Sequence, residues 1–353
     1  MILRVWFLCA LLSAILSIAV PARAERVIAI QEVTNRVKVR HRPSIDSPAI
    51  GSLRYNESAE LLESLPYWYH ITLDNGVPGY VSRAWTRKLS EAEGDGQVIR
   101  IGYWNVGSLT DCTVLAQVVE ANFDVLAIAG ASAEGKPGYE ALLKVLGPRW
   151  AGLTAPAAPD VAAGSVFYAI VYRTGIVRPC AEWNALVQYE SEGFADLPAY
   201  ACFEAPMNKA SRGIDFMLGI YAAPADADIA EVREEADRLD EVLAAMQSAR
   251  TGERDIILVG TFNLSAPDLQ DLVEARVRTR GAGSVLGANG EGTGALHDHM
   301  LIMDEDATIE MIDVPQVIDV RGAAGSHQQF RQSCGNHLPL LLRLRTTGPD
   351  DDA

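Results

Sequence analysis

Two patterns of apolar and polar positions divide the chain. From Arg26 to Leu89 the apolar residues come in short alternating runs, among them Val37-Lys38-Val39-Arg40, Ala49-Ile50-Gly51, Ala59-Glu60-Leu61-Leu62, Trp68-Tyr69-His70-Ile71 and Gly79-Tyr80-Val81. Pro43, Pro48 and the dipeptide Asn75-Gly76 punctuate them. A period of two broken by turn residues predicts short antiparallel strands, and Asn-Gly is a strong hairpin signal because both residues tolerate positive φ. Residues 25–89 are therefore expected to close as a small all-β barrel.

The polar, glycine-containing stretch 90–97 reads as a linker. Beyond it the apolar runs are more continuous: Val98 to Tyr103, Asp124 to Ala129, Val166 to Tyr172, Asp215 to Tyr221, Asp255 to Val259, His299 to Met303 and Leu338 to Leu344. A helix is expected to open near Thr110-Asp111. Between Asp228 and Arg250, the residues Ile229, Val232, Ala236, Leu239, Leu243 and Met246 step by three and four, which predicts one helix face. Strands apolar on both faces combined with amphipathic helices predict a stacked α/β sandwich over residues 98–345. The last eight residues, 346–353, read as an acidic tail.

Composition adds the compartment. Arg4 precedes the apolar run Val5 to Val20, and Ala22-Arg23-Ala24 offers small residues for signal peptidase, so residues 1–24 are expected to be a signal peptide and the protein to be secreted, in the periplasm. No later apolar run reaches the roughly 18 residues of a membrane span. The formal charge of the chain is −16, and loss of Arg4 and Arg23 makes it more negative. No basic run offsets this, which disfavours binding to a nucleic-acid backbone. Of five cysteines, Cys9 leaves with the signal peptide. Cys112, Cys180, Cys202 and Cys334 remain, without metal-ligand spacing, and export predicts disulfides.

Candidate chemistry gathers at strand ends. Asn105 follows the first strand of the larger region, Tyr221 ends Asp-Phe-Met-Leu-Gly-Ile-Tyr, and Thr261 and Asn263 follow Ile-Ile-Leu-Val-Gly. Asp298 lies in His-Asp-His-Met, and Asn336 and His337 precede the last strand. Any one of these is an ordinary turn or cap residue. Five strand ends with the same feature mark a site.

The first region resembles the bacterial SH3 domain, through VKVRHRPSIDSPAIGSL, WYHI and DNGVPGYVS. Lys38 and Arg42 depart from that family's usual Asn and turn glycine. The resemblance implies a cell-wall or peptide partner. The second region, about 97 to 345, resembles the endonuclease/exonuclease/phosphatase superfamily, the deoxyribonuclease I and exonuclease III fold. The residues that carry this are WNVGSL (104–109), DVLAIAG (124–130), YAIVYR (168–173), DFMLGIYAAP (215–224), VGTFN (259–263), HDHMLI (297–302) and CGNHLPL (334–340). The resemblance implies a four-layer α/β sandwich.

The resemblance also implies what the site lacks. The family's magnesium carboxylates and water-orienting aspartate fall on Gly130, Asn336 and Thr261, so no metal ligand set is expected. Asn105, Tyr221, Asn263, Asp298 and His337 match retained positions, with Asp298 and His337 as a pair. A small phosphate-bearing anion is then expected to meet Asn105, Tyr221, Thr261, Asn263, Asn336 and His337 without a cofactor. The resemblance thus implies a non-catalytic ligand-binding or cell-envelope scaffolding protein. The alternative is an active divalent-metal phosphodiesterase or nuclease whose site is rebuilt with magnesium and an acid such as Glu134, which is expected in a loop beside Gly135. In the resembled fold the segments of Cys180 and Cys202 run side by side, which implies that pairing. Cys112 and Cys334 fall in loops beside the cleft and form the second expected pair.

Overall fold

The computed structural model describes residues 26–29, 36–54, 58–73, 76–89, 98–107, 112–155, 166–191, 193–205, 214–250, 252–303 and 311–346. The expected signal peptide and linker lie outside them, as does the expected tail beyond Thr346.

Strands β1 (Arg26–Ala29), β2 (Arg36–Arg40), β3 (Ala49–Arg54), β4 (Ser58–Ser64), β5 (Trp68–Thr72), β6 (Pro78–Ser82) and β7 (Thr86–Leu89) form one sheet in the order β3-β2-β6-β5-β4-β1-β7. β5 and β6 pair antiparallel from Trp68↔Ser82 to Thr72↔Pro78, as the Asn-Gly signal predicts. The inward residues Val27, Val37, Val39, Leu53, Ala59, Tyr69, Ile71 and Val81 share one core. The sheet must curl for side chains of six strands to meet, because a flat sheet would leave that face in water.

The larger region holds two sheets. In the first, β8 (Val98–Asn105), β9 (Val125–Ala131), β10 (Trp150–Thr154), β11 (Val166–Arg173), β19 (Met311–Val317) and β20 (Leu340–Arg345) follow the order β10-β11-β9-β8-β20-β19. In the second, β12 (Arg178–Pro179), β14 (Ala199–Ala205), β15 (Ile214–Ala222), β16 (Ile256–Thr261), β18 (Asp298–Ile302) and β17 (Arg276–Val277) neighbour one another in that order, and β13 (Val187–Gln188) pairs with β14. The helices are α1 (Cys112–Asn122), α2 (Ser132–Leu146), α3 (Ile229–Ala236), α4 (Leu239–Ala249), α5 (Ala266–Gln270) and α6 (His327–Cys334).

Side-chain alternation assigns each face of these strands to a layer. Ile101 and Tyr103 of β8 join Ala127, Ile170, Phe216, Leu218, Ile257 and Met300 in a core drawn from both sheets. Trp104 points the other way, to a core with Leu115, Leu142 and Phe330 of α1, α2 and α6. On the second sheet, Met217 and Leu258 pack against Val232, Leu239 and Leu243 of α3 and α4.

One expectation changes here. The single helix expected from Asp228 to Arg250 is two. Asp228 caps α3 through a reciprocal box with Glu231, and α3 ends at Asp237, with Arg238 opening α4. The Arg238 guanidinium is drawn to Ser191, donating to its Oγ at 2.9 Å. The apolar face runs through the break, so the spacing looked continuous. Pro315 did not announce a strand, yet β19 contains it, at a sheet edge and beside bulges.

Cys180 and Cys202 are disulfide-bonded. They sit on adjacent segments, and Cys180 N–H donates to the Cys202 carbonyl at 3.0 Å. The expected Cys112–Cys334 pair falls on Cys112, whose side chain lies outside the described residues. Among the described residues no helix is long and apolar enough to cross a membrane.

Candidate functional site

β8 runs parallel to β9, and β15 parallel to β16. The ends where β8 and β16 finish meet across the inter-sheet core, where the Tyr103 hydroxyl lies 2.9 Å from Thr261 Oγ1. Parallel strands deliver their C-terminal loops to one place, so the candidate residues gather there.

Thr261 is the hub. It is 3% exposed. Its hydroxyl donates to Asp298 Oδ1 at 2.5 Å and accepts from Asn105 Nδ2 at 3.2 Å. With Tyr103 as a second donor, the one hydrogen and two lone pairs of the hydroxyl are all used. Burial pushes the Tyr103 phenol far above its usual range, and Asp298 pushes it further, so it stays protonated. The other Asp298 oxygen, Oδ2, lies 2.7 Å from His337 Nδ1. Asp298 is fully buried. Burial alone would raise its carboxyl, but His337, with hydrogen bonds from His337, Ser284 and Thr261, outweighs burial and holds it below the usual carboxylate range.

A second layer of contacts fixes these groups. Ser284 Oγ accepts from the backbone N–H of His297 and of Asp298, each at 3.2 Å. The Trp104 indole N–H donates to the His337 carbonyl at 2.9 Å. Leu286 N–H donates to the Asn336 carbonyl at 2.8 Å. Gly335 has φ 87°, and a Cβ there would come within 2.7 Å of the Val106 carbonyl, so only glycine brings this loop against the end of β8. Asn263 has φ 52°, a conformation that asparagine tolerates, and its Nδ2 reaches the Pro224 carbonyl at 3.5 Å.

The structure brings together Asn105, Thr261, Asp298 and His337. It does not bring in Tyr221, which departs from expectation. Its ring faces the helix layer, fully buried, and its hydroxyl donates to Glu235 Oε2 at 2.8 Å. Strand alternation is the reason: Ile220 and Ala222 take the inter-sheet face, which leaves Tyr221 for α3. Thr261 is in the network, but its saturated hydroxyl leaves nothing for a ligand. Glu134 lies in α2 rather than in a loop.

Tyr103 and Tyr168 were not singled out from the sequence. Tyr103 sits two residues before Asn105 in the same strand, hence on the same face, and that alternation was the available signal. The Tyr168 hydroxyl accepts from Ala222 N–H at 2.9 Å and ties the sheets together nearby. Ser284 carries no periodic signal at all.

The residues present do not fit a hard divalent cation. Magnesium requires several anionic oxygens in close octahedral array. Here the one central carboxylate has both oxygens engaged, and Gly130, Thr261 and Asn336 bring no charge. Among the described residues, no group of three or more His, Cys, Asp or Glu is placed to hold a metal ion.

Residues 35–87 match the model described as "Bacterial SH3 domain". No curated protein matches the chain. Several solved structures are similar to it. An endonuclease/exonuclease/phosphatase family protein from Bacteroides thetaiotaomicron is 14% identical with a TM-score of 0.49, over 71% of this chain and 98% of that one. The human Nocturnin catalytic domain with bound sulfate anion is 11% identical with a TM-score of 0.47, over 71% and 94%. Truncated Caenorhabditis elegans TDP2 is 9% identical with a TM-score of 0.46, over 70% and 98%. Residues 35–87 thus match a bacterial SH3 domain, and the structures the chain is similar to include an endonuclease/exonuclease/phosphatase family protein.

Proposed function

We propose that the cleft at the ends of β8, β16, β18 and β20 binds a small phosphate-bearing ligand without hydrolysing it. In this reading the larger region, residues 98–345, is a four-layer α/β sandwich of the endonuclease/exonuclease/phosphatase type that has become a binding module. One observation carries it: both oxygens of Asp298 are engaged inside the chain, by Thr261 and His337. Among the described residues that leaves no free carboxylate there to hold a cation or take a proton from water, and a threonine hydroxyl is far too weak a base near neutral pH.

The asparagine amides left to face a ligand are donors. His337 turns Nδ1 to Asp298, and because that nitrogen donates to the carboxylate, Nε2 is a donor only in a ring that carries both protons. Asn336 and Asn263 add amides, and Asn105 keeps one N–H beyond that given to Thr261. Tyr221 and Thr261 are not part of this set. Residues 25–89 act beside it as a wall- or peptide-binding adaptor, residues 1–24 direct export, and the protein works in the periplasm. The Cys180–Cys202 disulfide supports that compartment.

Calorimetric titration with magnesium, run beside hydrolysis of bis(p-nitrophenyl) phosphate, tests the reading. No binding heat and no turnover above the blank are expected. Turnover lost on adding chelator and on His337→Ala would overturn it in favour of a rebuilt metal site.

A further inference from the structure

We infer that a row of cations on the outward face of β2 and in the loop after it docks an acidic polysaccharide, a linear chain of carboxylate-bearing sugars. This rests on the reading of residues 25–89 as an adaptor and names the class of partner it holds.

The pleat makes the row. Val37 and Val39 turn into the core of the first sheet, so Lys38 and Arg40 turn out, and Lys38 is exposed. Alternate residues of a strand stand about 6.7 Å apart. Arg42 follows two residues later, exposed at the start of the loop 41–48. The buried Ser47 holds both arginines in place. Its carbonyl accepts from the Arg40 guanidinium at 2.6 Å, and its Oγ accepts from the Arg42 backbone N–H at 2.9 Å. These acceptors are neutral, so neither contact cancels a charge. Arg36, at the start of the strand, has contacts of its own, and the row is Lys38, Arg40 and Arg42. Among the described residues no carboxylate pairs with these three.

The surroundings leave the row positive. β3 on one side of β2, and β6 and then β5 on the other, contain no aspartate or glutamate. Asp46 is the one acid of the loop, and the turn acids Glu57 and Asp74 lie outside the described residues. Glu60 and Glu63 stand on β4, three strands from β2 and so about 14 Å away, beyond the roughly 8 Å over which exposed charges act at physiological salt. The formal charge of −16 over the whole chain hides this face. Lys38 and Arg42 are also the two positions at which the sequence leaves the bacterial SH3 pattern, so the row belongs to this chain rather than to the domain type.

A single row suits a linear polyanion. A membrane surface takes a cluster of about four to eight basic residues, and single-stranded nucleic acid takes open aromatic faces for its bases. Tyr80, in register with Arg40, already has its ring stacked on His70 at 4.5 Å. Sugar carboxylates need only spaced cations.

The test uses the full chain at pH 8 in calcium-free buffer of low ionic strength, with alginate oligomers of uniform length as the probe and dextran oligomers as the neutral control. Calorimetry is expected to show binding of alginate alone, weakening as salt is raised. Lys38→Glu/Arg42→Glu should weaken it at least about tenfold, because like charges then face the polymer, and Glu60→Gln/Glu63→Gln should not weaken it. Should the reversal lower the melting temperature, Lys38→Gln/Arg42→Gln is expected to show the same loss in smaller degree. Alginate binding unchanged in both row variants, or tighter binding of poly(dT) or of anionic phosphatidylserine vesicles, would overturn the proposal. Binding to insoluble peptidoglycan with no affinity for alginate would overturn it too and leave the adaptor reading, whereas binding of neither would remove both.

Discussion

Asp298 Oδ2 and His337 Nδ1 lie 2.7 Å apart although 39 residues separate them in the chain. One residue opens β18 in the second sheet, and the other precedes β20 in the first. The pair therefore joins the two sheets at the cleft. It sits beneath Ser284 and beside the saturated Thr261 hydroxyl, so removing either partner exposes a buried charge or donor to an apolar core.

Asp298→Ala should consequently destabilise the fold by about 3 kcal/mol, the scale of breaking a buried pair from one side. Urea denaturation of the variant checks this. A change below about 0.5 kcal/mol, the level of an ordinary surface substitution, would show that the pair does not hold the sheets together.

Acid should act through the same carboxyl. Asp298 is held below the usual range in the folded protein. Its contribution is thus fully present above the unfolded carboxylate value, near pH 4, and is lost as pH falls through the lower folded value. Asp298→Asn should lose less stability than the parent between about pH 5 and pH 3. Parallel curves for the two proteins in acid would contradict this assignment.

Glu235 should behave in the opposite sense. Burial raises its carboxyl, and the hydrogen bonds from Ala195 N–H and Tyr221 only partly reverse that, with Asp196 adding to the rise. The folded state holds this proton more tightly than the unfolded chain, so stability declines as pH rises from the unfolded carboxylate range through the folded value. Glutamine can accept from Ala195 and donate to the Tyr221 oxygen, so Glu235→Gln should equal or exceed the parent near neutrality. Its advantage should vanish at about pH 4, close to the unfolded glutamate value. Denaturation at the two pH values decides the point.

Rebuilding the carboxylates offers a test of the donor set. Gly130→Glu, Thr261→Asp and Asn336→Asp together add three acids, one of them at the Asp298 contact, and a Cβ at Gly130 meets Val106 Cγ2 at 3.3 Å. Without metal the triple variant should melt below the parent. Magnesium should raise its melting temperature in proportion to occupancy while leaving the parent unchanged. A parent stabilised equally by magnesium would mean that a cation site already exists.

The Cys180–Cys202 bridge spans 22 residues, which the chain-entropy model places at about 3 kcal/mol. Replacing both cysteines by serine should lower stability on that scale, and non-reducing peptide mapping of exported protein should recover the linked peptides. Equal stability with and without reductant would refute the bridge as a structural element.

What the sequence determined by itself was what repeats along it. Alternation of Val37 and Val39 with charged neighbours placed the strands of the first sheet, and the runs around Ile101, Leu218 and Leu258 placed the buried ones, because local periodicity reports which face must leave water. The order of Asn105, Thr261, Asp298 and His337 at strand ends was likewise legible, since strand ends are local. Tertiary structure decided which of those side chains share a space. Tyr221 and Thr261 both end strands, but the pleat sends one to α3 and the other to the inter-sheet core. Whether a hydroxyl is free or saturated depends on Tyr103 and Asp298 arriving from distant segments. The break between α3 and α4 is likewise absent from the spacing: Arg238 N–H bonds to the Glu235 carbonyl, three residues back, and its guanidinium donates to Ser191 in a loop far away in sequence.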